Sequence, residues 1–345
     1  MPRTISLVLV LALVLMVVAA CVQSQPTAQP QGGAKAQPAQ SQAQPIVLKA
    51  VTFLPSDHPL MWGSLQFFEM VNQKAKGELK IEYLGGPEVI PANDQVEAMK
   101  TAGAVHIVST ITTNTDPIVP ESTMIIMRKG SPVDARKSGI YDAFSKLYQD
   151  AGLYYLGDTF WPTPFYFWLN KPVTSYKEMS KLRLRTGGLY EPFIRALGST
   201  PVTIAMPDVY TALDRGMVDG FGWGGLRGVI DSGWHEVSKN VIDHPFWSAN
   251  GVMVLSMETW NKLPKHLQDI MIESMKEIEE KAIAYNEQIE KEAREKATAA
   301  GVKFIKFSDA EAKEYIDIAN KAAWEDMEKR ARPEPFKKMK ELLTK

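Results

Sequence analysis

Short segments in which apolar and polar residues alternate are separated along the chain by longer segments with helical periodicity. The alternating segments predict strands at Ile46–Phe53, Glu78–Leu84, Ala104–Ser109, Leu153–Gly157, Phe165–Leu169, Leu182–Arg185, Val218–Phe221, Asn250–Ser256 and Val302–Phe307. Apolar residues three and four positions apart predict helices at His58–Lys76, Asn93–Ala102, Ala135–Ala151, Tyr190–Leu197 and from Pro207 to about Arg215. Strands that alternate with helices favour an α/β fold with mainly parallel strands.

One predicted helix is much longer than the others. It runs from Pro264 to about Ala300 and ends at Gly301. Its heptad pattern is not sustained, which argues against a coiled-coil arm, and a helix of about ten turns is too long for one small domain. We therefore expect it to cross two domains. A capping-box pattern at Ser308–Glu311 then predicts the start of another helix.

The N-terminus carries an apolar run that is typical of an export signal. Ile5–Ala20 is apolar except for Ser6, is short for a membrane span, and is followed directly by Cys21. The sequence Val18-Ala19-Ala20-Cys21 at its end resembles the lipobox of bacterial lipoproteins, which implies a signal peptide at 1–20 and a lipid on Cys21. The alternative is a simple signal peptide cut nearby, with Cys21 incidental. Residues 21–45 then form a disordered tether, because Gln, Pro, Ala, Ser, Thr and Gly dominate the segment and bury little apolar surface.

Composition narrows the possible functions. The formal net charge is −1 and no basic tract occurs, so nucleic acid is not expected as a partner. Cys21 is the only cysteine, which excludes an internal disulfide. The five histidines lie far apart and no GxSxG motif is present, so an exported enzyme is not favoured. Gly220, Gly222 and Gly225 spell GxGxxG, but a dinucleotide site needs this motif between a strand and a helix. We interpret the segment as a flexible loop.

Several motifs, taken in order, resemble those of solute-binding proteins of TRAP transporters, which are tripartite and independent of ATP. The matching segments are Gly86–Pro91, Glu97–Met99, Asn170–Val173, Lys181–Gly188 (KLRLRTGG), Asp208–Gly220 (DVYTALDRGMVDG) and Trp260–Pro264. Asp208 stands where the family more often has glutamate. The similarity runs from about Val47 to the mid-320s, which is most of the mature chain.

This resemblance implies a two-lobed fold like that of periplasmic binding proteins, with a ligand cleft between the lobes and the long helix spanning both. The expected boundaries are 46–162 plus 249–290 for the first lobe and 163–248 plus 291–345 for the second. The implied function is extracytoplasmic capture of a small organic carboxylate by lobe closure, followed by delivery to an ion-gradient-driven membrane permease. We expect a monomer. A receptor subunit for a signalling protein remains the main alternative.

Arg185 is the residue that the resemblance assigns to the ligand carboxylate. A guanidinium offers two parallel donors to a carboxylate and stays charged. Arg185 also ends a strand pattern just before Thr186-Gly187-Gly188, as expected at a cleft mouth. An ordinary surface salt bridge is the alternative role, and it suits the neighbouring Arg183 better.

Two departures from the family pattern bear on the ligand. Phe165 stands where sialic-acid binders carry a second arginine, and Trp223 stands where they carry an asparagine. Both replacements favour a small 2-oxo or hydroxy monocarboxylate or an aromatic acid, although aromatic residues usually belong to the core. The resemblance also places first-lobe residues in the site, namely Glu88, Asn93, Gln95 and Thr110. A cation such as Na⁺ or Ca²⁺ could bridge ligand and protein, as in some 2-oxo-acid binders of the family.

Overall fold

The computed structural model describes residues 44–101 and 103–345. The predicted signal peptide, Cys21 and most of the tether lie outside these residues. The strands are β1 (Ile46–Thr52), β2 (Leu79–Gly85), β3 (Ile107–Ile111), β4 (Leu153–Leu169), β5 (Arg183–Thr186), β6 (Thr200–Thr203), β7 (Gly220–Gly224), β8 (Asn240–Ile242), β9 (Ser248–Ser256) and β10 (Lys303–Ile305).

The helices are α1 (Trp62–Lys74), α2 (Gln95–Thr101), α3 (Thr112–Thr115), α4 (Pro132–Ser138), α5 (Ile140–Asp150), α6 (Glu191–Ala196), α7 (Val209–Asp214), α8 (Leu226–Asp231), α9 (Met257–Lys262), α10 (Lys265–Ala299), α11 (Asp309–Arg330) and α12 (Pro333–Thr344).

Two sheets, one in each lobe, share the long strand β4. The first has the order β2-β1-β3-β9-β4, with parallel pairing among its first three strands. The second continues as β4-β7-β5-β6, in which β5 is parallel to both of its neighbours, and β8 pairs with β4 on another edge. Strands β9 and β4 run antiparallel to their neighbours. The predicted two-lobed α/β fold is confirmed.

Strand β4 corrects two of the predicted strands. Leu153–Gly157 and Phe165–Leu169 are the two ends of one 17-residue strand that passes from the first sheet into the second. Pro162 lies within this strand, where the pairing with β9 shifts register between Phe160 and Thr163, so its missing N–H costs the ladder little.

The long helix α10 contributes to the core of both lobes. Its first half buries Leu267, Met271 and Met275 against β1, β2 and α1. Its second half buries Ala293 and Ala297 in the core of the second lobe, with Trp168 and Phe221. At 1.5 Å per residue its 35 residues span about 50 Å, which confirms the prediction of a helix that crosses both lobes.

Glycine and capping residues set several element ends. The predicted helix Ala135–Ala151 is divided into α4 and α5 because Gly139 lies between them with a φ of 80°. Gly301, also at a φ of 80°, follows the end of α10. Ser308 caps α11 by accepting a hydrogen bond from the Glu311 N–H, as its sequence pattern predicts.

The two C-terminal helices pack against helices of both lobes. Helix α11 lies against α6 of the second lobe, whereas α12 lies against α5 of the first lobe. Phe336, Met339 and Leu343 of α12 are buried there. The lobe boundaries, including the assignment of 291–345 to the second lobe, stay a prediction.

Candidate ligand-binding cleft

A cavity of about 230 Å³ lies between the two lobes at the point where β4 crosses. The first lobe lines it with apolar residues at the ends of β1 and β3: Phe53 and Leu54 follow β1, and Ile111 is the last residue of β3. The second lobe contributes Arg185 and Trp223, and α10 contributes Glu290. Its wall is therefore mostly apolar with a few charged groups, as is usual for a small-molecule site.

Arg185 is buried at the inner end of this cavity, with 5% of its surface exposed. Strand β5 carries it between β6 and β7, where it pairs with Val202 and Phe221. Its Nε donates to the Ile204 carbonyl at 2.9 Å, and its Nη1 donates to the Tyr190 hydroxyl at 3.2 Å. Neither partner is charged. Among the described residues, Arg185 has no carboxylate within salt-bridge distance.

Trp223 lies beside Arg185 and lines the same cavity. Its ring centroid is 5.4 Å from the Arg185 guanidinium carbon, and the ring also packs edge-on against Trp234 at 4.7 Å. Gly228 allows this placement, because a Cβ there would lie 2.8 Å from the Trp223 Nε1. The indole therefore forms a fixed, half-buried wall next to the cation.

Tyr190 is a site residue that sequence reasoning missed. Its hydroxyl accepts from Arg185 and donates to the Gly222 carbonyl, so it holds the guanidinium against β7. Burial raises the pKa of the Tyr190 phenol, and the positive charge of Arg185 partly opposes that rise. The helical pattern at Tyr190–Leu197 carried no signal for this contact.

The GxGxxG segment is not the flexible loop that we expected from the sequence. Gly220 and Gly222 lie inside β7, where close packing requires them: a Cβ at Gly222 would lie 2.5 Å from the Tyr190 ring, and one at Gly220 would lie 2.3 Å from the Trp168 carbonyl. Gly225 follows the strand with a φ of 74°, which favours glycine. The three glycines thus serve packing and a turn.

Arg183 has the surface role that was predicted for it. It forms a bidentate ion pair with Asp219, with nitrogen-to-oxygen distances of 3.0 and 2.9 Å, and Arg183 is exposed whereas Asp219 is half-buried. Asp219 belongs to the Val218-Asp219-Gly220 motif. The aspartate of this motif therefore links the turn before β7 to β5 through Arg183. It does not form an ion pair with Arg185.

Phe165 also lines the cavity, and it belongs to the core at the same time. It is 8% exposed and packs against Tyr190 and Phe246 at centroid distances of 5.8 and 5.9 Å. The core interpretation of Phe165 therefore agrees with its contacts, and its ligand-binding role stays a prediction. Phe160 of β4 is a further aromatic residue in the cavity wall.

The four first-lobe candidates have other positions. Glu88 is exposed, and its carboxylate accepts from the Gly86 N–H at 2.6 Å, while Asn93 is exposed on the same loop. Gln95 is buried and donates to the carbonyls of Thr52 and Ile90. Thr110 is buried and accepts from Asn114. None of the four belongs to the cavity lining, and their role in binding stays a prediction.

Glu290 is the second site residue that the sequence did not reveal. Its Oε2 accepts from the Leu226 N–H at 2.9 Å, whereas its Oε1 is buried without a hydrogen-bond partner among the described residues. Burial raises the pKa of this carboxyl to about 7, although the Leu226 hydrogen bond and the charge of Arg294 oppose the rise. The chain contains 40 acidic residues, so nothing in the sequence singled this one out.

His58 and Arg227 are the remaining titratable side chains of the wall, beside Arg185, Tyr190 and Glu290. His58 accepts from the Leu60 N–H through Nδ1 at 3.2 Å, and burial is the main cause that lowers its pKa. Arg227 is paired with Asp231 at 2.6 Å. In the part of the chain that the structure describes, no three His, Cys, Asp or Glu side chains are grouped to hold a metal ion, and the bridging cation stays a prediction.

Comparison with known proteins places the chain in a family. Residues 50–330 match the model of the DctP family, described as bacterial extracellular solute-binding protein, family 7. The chain belongs to this family. Membership confirms the resemblance to TRAP solute-binding proteins and identifies a solute-binding rather than an enzyme family.

Two relatives of this DctP-family chain have descriptive names. The C4-dicarboxylate-binding periplasmic protein DctP of Rhodobacter capsulatus is 24% identical over 300 residues, 83% of this chain and 85% of that protein. The monocarboxylate 2-oxoacid-binding periplasmic protein of Nostoc is 24% identical over 166 residues, 48% of this chain. That second match spans less than half of the Nostoc protein, 44%.

Solved structures of the family have the same fold. A TRAP periplasmic solute-binding protein from Desulfovibrio salexigens, with bound orotic acid, superimposes with a TM-score of 0.75 at 18% identity. The match covers 86% of this chain and 98% of that one. Within the described residues, no helix of this DctP-family member has the length and apolar character needed to cross a bilayer.

Proposed function

We propose that this protein captures a small organic carboxylate in the cleft between its lobes and that Arg185 binds the carboxylate. The observation that carries the proposal is a buried guanidinium that has neutral hydrogen-bond partners and no acidic partner among the described residues. A buried charge without a counter-charge is costly, and a ligand carboxylate would supply the missing one.

The cavity favours a small and partly apolar acid. Its volume of about 230 Å³ suits few heavy atoms, and Trp223, Phe165 and Phe160 give it flat apolar walls. The named relatives bind C4-dicarboxylates and 2-oxo monocarboxylates, and the Desulfovibrio structure holds orotic acid. We therefore infer a 2-oxo or hydroxy monocarboxylate or a compact aromatic acid as the ligand.

The test is a double-mutant cycle between Arg185 and the ligand carboxylate. A thermal-shift screen of organic acids first selects the best ligand, and isothermal titration then compares the acid and its amide with the wild type and with Arg185→Ala. Loss of one partner of a desolvated charge pair costs about 2–5 kcal/mol, so either single change weakens binding by about thirtyfold to several thousandfold.

The two losses are expected to be less than additive, because each change removes the same interaction. Arg183→Ala, two residues away on β5 and paired with Asp219, is the matched control and keeps the wild-type Kd within about twofold. Losses that simply add would mean that Arg185 and the carboxylate are not direct partners.

We also infer that the bound acid is delivered to a membrane permease, as the names of TRAP solute-binding proteins among the structural relatives suggest. A receptor that feeds a signalling protein is the alternative. Uptake of radiolabelled ligand by cells separates the two, since deletion of this gene abolishes uptake only if the protein serves a permease.

A lipid anchor at Cys21 is the proposed link to the membrane. Support comes from the sequence Val18-Ala19-Ala20-Cys21 at the end of the apolar run. A diacylated cysteine carries two acyl chains, enough for stable anchoring. We expect the wild type in the membrane fraction and Cys21→Ala in the soluble or unprocessed fraction. Wild-type protein found wholly in the soluble fraction would exclude the anchor.

A further inference from the structure

One residue of α10 breaks the pattern of the helix face that packs into the core. Successive turns of this face bury Ile278, Ala282, Asn286, Ile289 and Ala293. Asn286 is the polar member of this series. Asparagine favours a helix interior less than alanine or isoleucine does, and its amide is costly to bury. A position that breaks the local rules in this way is a candidate for a functional role.

The amide of Asn286 has one atom that is bonded within the helix and one that is not. Its Nδ2 donates to the Ala282 carbonyl at 2.7 Å. That bond fixes the orientation of the amide, because the reversed orientation would place two oxygens together. The Oδ1 has no hydrogen-bond partner among the described residues and, unlike the enclosed Oε1 of Glu290, keeps accessible surface. Asn286 is only 4% exposed and lines the cavity, so this acceptor faces the cavity.

The acceptor lies in the part of the cavity where α10 packs against α8. The Trp223 ring stands between α8 and Arg185. A Cβ at Gly228 of α8 would lie 2.8 Å from the Trp223 Nε1, and the Arg185 guanidinium carbon lies 5.4 Å from the ring centroid. We therefore expect a ligand group at Asn286 to be separated from the carboxylate by about the width of an indole ring.

Two nitrogen donors line the cavity near this acceptor. His58 accepts a backbone N–H through Nδ1, so its neutral ring carries the proton on Nε2. Arg227 is engaged through Nε, and its terminal nitrogens bind no residue in the described part of the chain. Arg227 also lies near both His58 and Tyr285, the residue before Asn286. A positive charge here disfavours a ligand ammonium group, whereas a hydroxyl can donate to Asn286 and accept from such donors.

We propose that Asn286 is a specificity-determining residue whose Oδ1 accepts a hydrogen bond from a ligand hydroxyl that lies away from the carboxylate. This inference rests on the proposed carboxylate-binding function and narrows its ligand to a hydroxy acid. An oxo group accepts only, so it would set two acceptors against each other at Asn286. A purely structural role for Asn286 would affect the binding of all acids alike.

The experiment measures the gain in affinity that one hydroxyl provides. One series is benzoate with its 2-, 3- and 4-hydroxy isomers, and the other is butanoate with its 2-, 3- and 4-hydroxy isomers, 3-oxobutanoate and 4-aminobutanoate. Isothermal titration of the full-length protein gives the ratio of each Kd to that of the parent acid. We expect a 3- or 4-hydroxy isomer to bind about threefold to tenfold more tightly than its parent. The 2-hydroxy, oxo and ammonium compounds should gain less than about twofold.

Three variants test whether the preference belongs to Asn286. Asn286→Leu removes the acceptor at similar volume and should reduce the advantage of the best isomer to less than about twofold. Asn286→Asp keeps an acceptor and should keep the advantage, since its charge acts alike on the isomer and on its parent. Gln288→Leu, which removes an exposed amide from the same helix, should match the wild type. Circular dichroism and thermal melting confirm that each variant is folded, and Asn286→Ala replaces Asn286→Leu if the larger side chain prevents folding.

The outcomes separate this inference from the proposed function. If the acids bind and depend on Arg185, but Asn286→Leu keeps the wild-type preference or no 3- or 4-hydroxy isomer exceeds its parent, the role of Asn286 is overturned and carboxylate capture stands. A preference for the 2-hydroxy, oxo or ammonium compounds also overturns it. If no acid of either series binds the wild type, the proposed ligand class is overturned together with this inference.

Discussion

At the scale of the residue, the decisive feature is the contrast between two arginines on one short strand. Arg183 is exposed and fully paired with Asp219, whereas Arg185 is buried and bound only by neutral oxygens. Those neutral contacts fix the direction of the guanidinium without neutralising its charge. Arg185 therefore keeps donor capacity for a ligand and is held in place before the ligand arrives, which lowers the entropic cost of binding.

Tyr190→Phe tests how Arg185 is held. The change removes an acceptor from Arg185 and a donor from the Gly222 carbonyl, and both groups are buried. We expect the free energy of unfolding to fall by about 1–3 kcal/mol and the ligand affinity to weaken while remaining measurable. Urea denaturation and isothermal titration measure the two effects.

Tyr210→Phe is the control for that change, because Tyr210 is 38% exposed on α7. Its loss of a hydroxyl should alter the free energy of unfolding by less than about 0.5 kcal/mol. Equal effects of the two substitutions would mean that the Tyr190 hydroxyl does not support Arg185.

The sequence predicted some of these residues for physical reasons and could not predict others. Arg185 sits in a motif at the end of a predicted strand, and the family resemblance placed Trp223 and Phe165 at ligand positions, so their presence in one cavity could be foreseen. Tyr190 and Glu290 reach the cavity through contacts between elements far apart in sequence. The first-lobe candidates lie outside the cavity lining, because side chains such as Glu88 and Gln95 bond to nearby backbone groups, and their role in binding stays a prediction.

At the scale of the element, the site depends on where strands and helix α10 meet. Strands β4, β7 and β5 are neighbours, which brings Phe165, Trp223 and Arg185 together although about twenty residues or more separate them in sequence. Helix α10 crosses beneath them and presents Asn286, Ile289 and Glu290 to the cavity. The long helix is thus part of the binding site as well as a support.

Glu290→Gln should change how the stability of the protein depends on pH. The pKa of Glu290 is raised from 4.5 to about 7 in the folded state, so the native protein retains this proton where the unfolded chain releases it. As pH rises from about 4.5 to 7, this group lowers the free energy of unfolding by at most about 3 kcal/mol. Above pH 7 the full penalty is present, and below about 4.5 it is absent.

Urea denaturation of the unliganded protein at pH 4.5, 6 and 8 measures this effect. We expect Glu290→Gln to exceed the wild type in stability at pH 8 and the difference to shrink as pH falls. Glu287→Gln, exposed on the same helix, should follow the wild-type curve. A constant difference between Glu290→Gln and the wild type across this range would contradict the raised pKa.

The sequence predicted whether a segment is a helix or a strand better than it predicted the first and last residues of that segment. Local periodicity placed every strand except β6 and β8, but it did not show where tertiary pairing joins or divides the elements. Pro162 lies inside β4 because β9 changes register there, and Gly139 divides a periodic run into α4 and α5. Strand β8, with three residues, is too short for alternation to reveal it.

At the scale of the whole molecule, the two lobes are joined by β4, β9 and α10. Buried ion pairs stiffen the first lobe near this junction: Arg128 binds Asp158 of β4, and Arg136 of α4 binds Glu279 of α10. Charged pairs that are buried and well hydrogen-bonded favour one arrangement over others. Motion is therefore expected between the lobes as rigid bodies and not within the first lobe.

Ligand-driven closure can be measured because Cys21 is the only cysteine in the sequence. In a Cys21→Ala background, spin labels at Glu97→Cys on α2 and Asp214→Cys on α7 report the distance between the lobes, and both sites are exposed. A ligand shifts a hinge equilibrium only if it binds the closed form better. Arg185 on the second lobe can close the cleft on a ligand that also contacts first-lobe residues such as Phe53 and Ile111. We expect the distance between the labels to shorten on addition of the carboxylate and to stay unchanged in Arg185→Ala at the same ligand concentration.

Labels at Lys80→Cys and Glu97→Cys, both on the first lobe, provide the control, and the distance between them should not change. Shortening in the control pair would indicate deformation within the lobe, and an unchanged distance between the lobes in the saturated wild type would rule out closure as the response to binding.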